Sequence, residues 1–309
     1  MSIPSENVQI DRKPFEGEVY DVMGGCSRWE IKVHDHGLVA LCDVMPRFAP
    51  VGKTADFAIV QAARVSYGQG TKQVSEDRGL VRYLARHRHT TPFEMVEFKF
   101  HHVMPIFIAR QWIRHRTANV NEYSARYSVV PDRFYRPDAA NVRKQSATNR
   151  QGGDEPLDEK TAEEFCQYLE KIEAGYGEYE KFLAKGVSRE LARVALPLSV
   201  YTEWYWKCDL HNIFHFLSLR LDPHAQQEIR DYARAMFALV KAIVPVAAEA
   251  FVDYNLESAH LTRLELEAIR SGQPLNSTNK RETAEWEAKR ARLGLGPATG
   301  GAGAGGNQG

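Results

Sequence analysis

The chain has 309 residues, 43% of them hydrophobic, and its 40 basic and 40 acidic side chains cancel to a formal net charge of zero. Such a chain can bury a real core as one large domain or two small ones, and it is not a polycation that coats nucleic acid. Cys26, Cys42, Cys166 and Cys208 form no CxxC pair, residues 1–21 hold no apolar leader core, and no apolar run of about 18 residues occurs, so a cytoplasmic protein without disulfides or a membrane span is expected.

Residues 1–50 read as an N-terminal extension in which 29–46 alternate partly, as a half-buried hairpin does. From Asp56 the sequence DFAIVQAARVSYG repeats apolar residues at three and four, a helical pattern, and EDRGLVRYLARHRH predicts a second helix ending in a basic turn. EMVEFKFHHVM alternates and carries Val and Phe, so a strand is expected there, with His101 and His102 as structural residues on it. PIFIARQWIRHR follows as a helix with Pro105 at N1; Ile106, Ile108, Trp112 and Ile113 would face inward and Arg110, Gln111 and Arg114 would share another side. The next residues, RTANVNEYSARYS, read as a loop.

Residues 141–159 are polar and contain Gly-Gly, which suits a surface insertion. A long helix is predicted over 158–184. SRELARVALP starts like a capping box, but Leu191 stands where Glu or Gln belongs. The stretch 197–220 begins as a strand and turns helical, and its aromatic run Tyr201, Trp204, Tyr205, Trp206 reads as core or subunit interface. DPHAQQEIRDYARAMFALVKAIVP predicts an amphipathic helix with Asp222 as N-cap and Pro223 at N1. The main domain is placed at 51–262, followed by a charged and Gly-rich tail over 263–309 in which disorder is expected, with at most a short solvated helix at RETAEWEAKRARLGLG.

The densest chemistry lies in RHRTANVNEYSARYS, residues 114–128, where Arg114, Arg116 and Arg126 surround His115, Glu122 and Ser124. Guanidinium forks bind phosphate in a bidentate way, so these residues fit a nucleotide phosphate, although a solvated basic face is the simpler alternative. Arg-His-Arg, seven residues, then Ser resembles the signature of the flavin-dependent thymidylate synthases. HTTPFEMVEF, AARVSYG, ARVALPLSVYTEWYWK and FLSLRLDPHAQQEIR resemble four more blocks of that family, in the family's order, over roughly residues 55–255.

The resemblance implies an α/β fold of the α+β type, a mainly antiparallel sheet packed by long helices, known as the thymidylate synthase-complementing fold. It implies methylation of dUMP to dTMP with FAD, NADPH as the reductant and 5,10-methylenetetrahydrofolate as the carbon donor, in a homotetramer whose sites draw on more than one subunit. Carried over residue by residue, Arg114, His115 and Arg116 contact the flavin, Ser66 and Thr91 sit at the FAD phosphates with Glu94 nearby, and His89 lies near flavin and folate. Gln111, Arg114, Glu122, Ser124, Arg126 and Arg193 hold dUMP, with Glu122 also on the cofactor side, and Arg220 approaches the uracil edge as the catalytic group.

An Arg beside uracil stabilises negative charge developing on the ring. Ser124 reads as a phosphate ligand rather than a nucleophile, since a serine nucleophile needs a base within hydrogen-bond reach and His115 is nine residues away. Asp209, His211 and His215 stand where the family carries Asn, Arg and Asn, and are carried over as FAD contacts. His211 and His215, four apart, also suit a metal pair or core histidines, but no third ligand accompanies them and no metal is expected. The alternative reading of the whole chain is a non-catalytic nucleic-acid-binding module built on the Arg-rich loop, although no nucleic-acid partner is expected of the enzyme.

Overall fold

A computed structural model describes residues 13–15, 17–66, 77–146 and 153–296. The chain divides into two compact units, Met1–Leu256 and Glu257–Gly309.

In chain order the first unit contains β1 (Val19–Asp21), β2 (Trp29–Val33), β3 (Gly37–Met45), β4 (Phe48–Pro50), α1 (Asp56–Val65), α2 (Asp77–Arg86), α3 (Thr91–Glu94), β5 (Glu97–Pro105), α4 (Ile106–Trp112), β6 (Asn119–Glu122), β7 (Arg143–Gln145) and β8 (Gly153–Pro156). It continues with α5 (Glu159–Glu173), α6 (Tyr176–Ala184), α7 (Arg189–Ala192), β9 (Tyr201–Asp209), α8 (Leu210–Arg220), α9 (Gln227–Ile243) and α10 (Pro245–Phe251). The second unit contains α11 (Arg263–Ser271) and α12 (Lys280–Arg292).

The centre is a five-stranded sheet in the order β2-β3-β5-β9-β6, with every neighbouring pair antiparallel. Alternation decides its faces. Phe98, Phe100, His102 and Met104 of β5 are buried and stand opposite Cys208, Trp206, Trp204 and Thr202 of β9. Against this face pack Trp112 of α4, Phe216 of α8 and Tyr232 of α9; the Trp112 and Phe216 rings stack at 4.5 Å. Each such aromatic side chain stabilises the fold by roughly 1.5–3 kcal/mol through burial. His102 belongs to this core: the Trp204 Nε1–H donates to its Nδ1 at 3.1 Å, and complete burial holds its pKa well below normal, so it stays neutral.

The expected hairpin is present, and its strands β2 and β3 are two of the five central strands. Gly37 is required at its turn because a Cβ there would collide with the Tyr232 hydroxyl and the Val33 carbonyl. Other expectations are corrected. The strand predicted from Glu94 starts at Glu97, and Thr91–Glu94 is a helical turn with Pro92 inside its first turn. Pro105 is the N-cap of α4 rather than N1, and Ile113 is exposed while Ile108 and Trp112 are buried. The loop after Arg116 contains strand β6, which pairs with the outer side of β9. The polar insertion forms the β7–β8 ribbon, and its residues 147–152 lie outside the described residues.

The long helix over 158–184 is two helices. Asp158 caps the first by accepting from the Thr161 N–H at 3.0 Å, and the chain breaks at Ala174 and Gly175. Glycine is a poor helix-interior residue, and the break lets α6 seat Tyr176 and Tyr179 in a second apolar cluster with Val130 and Phe134. Asp222 and Pro223 do not start α9, which begins at Gln227. Asp222 instead closes a turn, accepting from the His224 backbone N–H at 2.7 Å, while its carbonyl accepts from Ala225.

Residues 263–292, read from composition as a disordered tail, form α11 and α12 around buried Trp286, Ala268 and Leu275. Thr262 and Glu265 make a reciprocal capping box, and Gly272 ends α11 with φ 68°. The Gly-rich stretch 297–309, where disorder is also expected, lies outside the described residues.

Candidate active site

The sheet and its helices bring the sequence-predicted residues into three groups. The first lies where α4 and α8 end. Beyond Trp112 the chain turns, with the His115 N–H bonded to the Trp112 carbonyl at 2.9 Å. This sets the His115 ring edge-on to Phe216 at 4.9 Å and to His215 at 6.0 Å. From the last turn of α8, Arg220 donates its Nε–H to His115 Nε2 at 3.1 Å. Burial lowers the His115 pKa to about 4, with the Arg220 and His215 charges adding to the effect. A neutral imidazole can therefore accept from the cation at neutral pH instead of repelling it. Arg220 is itself half-buried, which lowers its pKa. Among the described residues it has no carboxylate partner, and in half-buried surroundings its charge acts more strongly than in bulk water. Arg114 and Arg116, on either side of His115, are exposed.

Gln111, one turn before His115, bonds through its side-chain amide to Gln226, the N-cap of α9. Glu122, at the end of β6, accepts from the Thr202 hydroxyl at 2.8 Å. Asp209 caps α8, accepting from the Asn212 backbone N–H at 2.9 Å and its side-chain amide at 2.7 Å. His211 and His215 follow on α8, half-buried and exposed respectively.

The second group is the loop after β6. The Ser124 carbonyl accepts from Tyr127 and Ser128, and the loop is pinned to α6, where the Tyr176 hydroxyl donates to the Val130 carbonyl at 2.6 Å. α7 packs beside it: Arg126 donates to Glu190 at 3.1 Å, Arg189 to the Tyr127 carbonyl at 3.3 Å, and Arg193 to the Glu190 carbonyl at 3.4 Å. Arg126 thus meets the Glu190 carboxylate, while Arg193 and Arg189 bond the main-chain carbonyls of Glu190 and Tyr127.

The third group lines a cavity of about 760 Å³ between α1, α2 and α3. Ser66, His89 and Thr91 meet there, with Ala62, Met95 and Arg88. A second cavity of about 760 Å³ shares Ala62, Val65 and Met95 and reaches Gln61 and Arg64, which makes the pair an elongated groove. α3, which carries Thr91 and half-buried Glu94, packs on both α1 and α8, so the cavity and the Arg220 helix share one support. Among the described residues, no hydrogen bond or ion pair links Arg126 or Arg193 to Arg220 or to the cavity residues.

Sequence reasoning missed Arg88, Gln226, Thr202, Arg189 and Glu190. Gln226 falls inside the DPHAQQEIR block, but only the fold shows that it faces Gln111. Arg88 sat unremarked beside His89, and the other three are ordinary surface or strand residues whose partners lie far away in sequence.

The chain also has recognisable relatives. Residues 51–246 match the Thy1 family, described as thymidylate synthase complementing protein. A flavin-dependent thymidylate synthase from Dictyostelium discoideum is 68% identical over 288 residues, covering 93% of this chain and 95% of the relative. The enzyme of that description from Thermus thermophilus is 56% identical over 241 residues, covering 78% of this chain and 84% of its own. Among solved structures, the UMP/dUMP methylase PolB from Streptomyces cacaoi bound with 5-Br UMP aligns with a TM-score of 0.64 at 33% identity, over 74% of this chain and 99% of PolB. The same enzyme bound with 5-Br dUMP aligns with a TM-score of 0.62 at 34% identity.

Proposed function

The chain belongs to the flavin-dependent thymidylate synthase family, and from that membership we propose that FAD is its flavin, NADPH the reductant and 5,10-methylenetetrahydrofolate the carbon donor. The reaction is methylation of dUMP to dTMP. The nucleic-acid-binding alternative finds no support among the relatives.

The observation that carries the residue assignment is the hydrogen bond from Arg220 to a neutral His115. It fixes a desolvated guanidinium whose remaining donors can meet the oxygen-bearing edge of uracil. Negative charge that develops there as the ring becomes nucleophilic at C5 is stabilised by a donor already in place. Arg220 is therefore assigned as the catalytic group, and Gln111, held by Gln226, is assigned to the nucleotide. Ser124, Arg126 and Arg193 are assigned to the nucleotide phosphate, because of Arg126, Arg189 and Arg193 only Arg126 meets a carboxylate among the described residues, which leaves positive charge for a dianion. Arg114 serves at both nucleotide and cofactor, Glu122 likewise, and the exposed Arg116 lies on the cofactor side.

The residues present fit FAD. An elongated groove with apolar walls at Ala62 and Met95, hydroxyls at Ser66 and Thr91, and a cation beside them is the donor set an extended dinucleotide requires. When bound, the flavin supplies the hydride, and the protein supplies position and electrostatics. His89 and Glu94 border this groove, and Asp209, His211 and His215 are assigned to it through the packing of α3 on α8.

From family membership the assembly is proposed to be a homotetramer whose sites combine residues of different subunits. Exposed apolar side chains such as Val65, Val194 and Leu198 are surface that such an assembly would cover. Among the described residues no helix is long and apolar enough to cross a membrane, in keeping with a cytoplasmic enzyme. The experiment is an absorption spectrum of the purified protein with a tritium-release assay on 5-tritiated dUMP. A flavin band and folate-dependent release are expected; a colourless protein that takes up no FAD and releases no tritium would refute the assignment.

A further inference from the structure

Arg88 occupies a position that backbone physics reserves for glycine. α2 ends in a Schellman arrangement: the His89 N–H bonds to the Leu84 carbonyl at 2.9 Å and the Arg88 N–H to the Ala85 carbonyl at 3.1 Å. The residue at the turning point takes left-handed angles, and here it is Arg88, with φ 58°. A side chain with a Cβ is strained in that region, whereas glycine is not. Only two described non-glycine residues have positive φ, and Arg88 is the one that lines the Ser66–Thr91 cavity.

The cavity lining explains what the strained residue can do. Its other described polar side chains are the hydroxyls of Ser66, Thr90 and Thr91 and the imidazole of His89, so among the described residues Arg88 is its one permanently charged group. Hydroxyls donate one hydrogen bond each and carry no charge, whereas a guanidinium brings several donors and one positive charge against the anion. Among the described residues Arg88 has no carboxylate partner, in contrast to Arg64 nearby, which is paired with Asp77 at 2.9 Å. Among the described residues, nothing claims the Arg88 guanidinium at the cavity wall, and it is available to a ligand.

We propose that Arg88 is a binding residue for the pyrophosphate of the dinucleotide cofactor, supplying the positive charge that Ser66 and Thr91 lack. The proposal rests on the functional reading above. Backbone strain at a helix end is retained because the side chain it carries closes an anion site.

The test uses the full-length chain stripped of flavin, with affinities for FAD and for riboflavin, which has no phosphate, read by flavin fluorescence. Arg88→Gly is expected to weaken FAD about 10-fold or more and leave riboflavin unchanged, with Arg88→Lys recovering most of the FAD affinity. The FAD affinity of the wild type is expected to fall more steeply with salt than that of Arg88→Gly. The glycine variant also removes the left-handed penalty, so its flavin-free melting temperature is expected to rise by about 2 °C. FAD affinity unchanged in Arg88→Gly overturns the proposal, as does an equal loss for FAD and riboflavin, which would make the turn's shape the cause. A wild-type chain that binds no flavin overturns the functional reading instead, and this proposal with it.

Discussion

Arg220 and Arg88 are both site arginines, yet the fold treats them differently. Arg220 is half-buried, bonded to His115, and set against aromatic rings. Arg88 is exposed on an open cavity wall among hydroxyl groups. The first environment strengthens every charge interaction and fixes direction; the second leaves charge screened and mobile, able to hold a ligand but poorly suited to steer a reaction. On the proposed assignment, one fold provides a place where charge acts on bonds being made and a place where charge only retains a molecule.

The largest effect should come from the desolvated side. Arg220→Ala is expected to lower the rate of dTMP formation about 10²- to 10³-fold, the usual cost of losing one preorganised donor. Flavin content, read from the absorption band, should stay within about twofold, and parallel loss of both would break the comparison. On the open side, Ser66→Ala combined with Thr91→Val is expected to weaken flavin binding about 10-fold, two neutral hydrogen bonds' worth. Titration of the flavin-saturated variant with dUMP should match the wild type; a matching loss of dUMP affinity would show that the two places are not separate.

A pH experiment sharpens the difference further. The His115 pKa is lowered from 6.5 to about 4 in the folded chain, so on acidification the unfolded chain takes up this proton first. The stability tied to neutral His115 is whole above about pH 6.5 and drains away as pH falls towards 4. Discounted for half-exposure, it amounts to about 1 kcal/mol. Urea denaturation at pH 7.5 and pH 5 should show a smaller loss in His115→Asn than in the wild type, and equal losses would remove the desolvated character assigned to this side. The smallest change is expected at Glu190→Ala. Its pair with Arg126 is solvent-exposed on both sides, and such pairs contribute little, so KM for dUMP should move by less than about threefold.

Much of this was legible in the sequence wherever chemistry and spacing are local. The alternation in EMVEFKFHHVM marked β5 as a strand, and the aromatic run of β9 supplies buried Tyr201, Trp204 and Trp206, while Tyr205 points outward because side chains in a strand must alternate. The Arg114-His115-Arg116 and Ser124 spacing marked the candidate site, and the FLSLR block marked Arg220, which the fold sets on His115. Boundaries were less legible. Asp158 is a capping signal the fold uses, but Asp222 carries the same chemistry and closes a turn, since Asp serves both purposes equally well. The 263–292 segment read as solvated because one Trp, one Leu and a few small residues hardly alter composition, yet they are enough to hold two capped helices together.

By itself, then, the sequence determined the kind of protein this is: the sheet's inward residues, the order of the family blocks and the identity of the charged groups are all written in neighbouring positions. Only the tertiary structure decided which charges work together. It set Arg220 on His115, gathered Arg126 and Arg193 at Glu190, paired Gln111 with Gln226, and left Arg88 facing the Ser66 cavity. Those contacts join residues far apart in the chain, and their electrostatic character depends on burial, which no local pattern encodes.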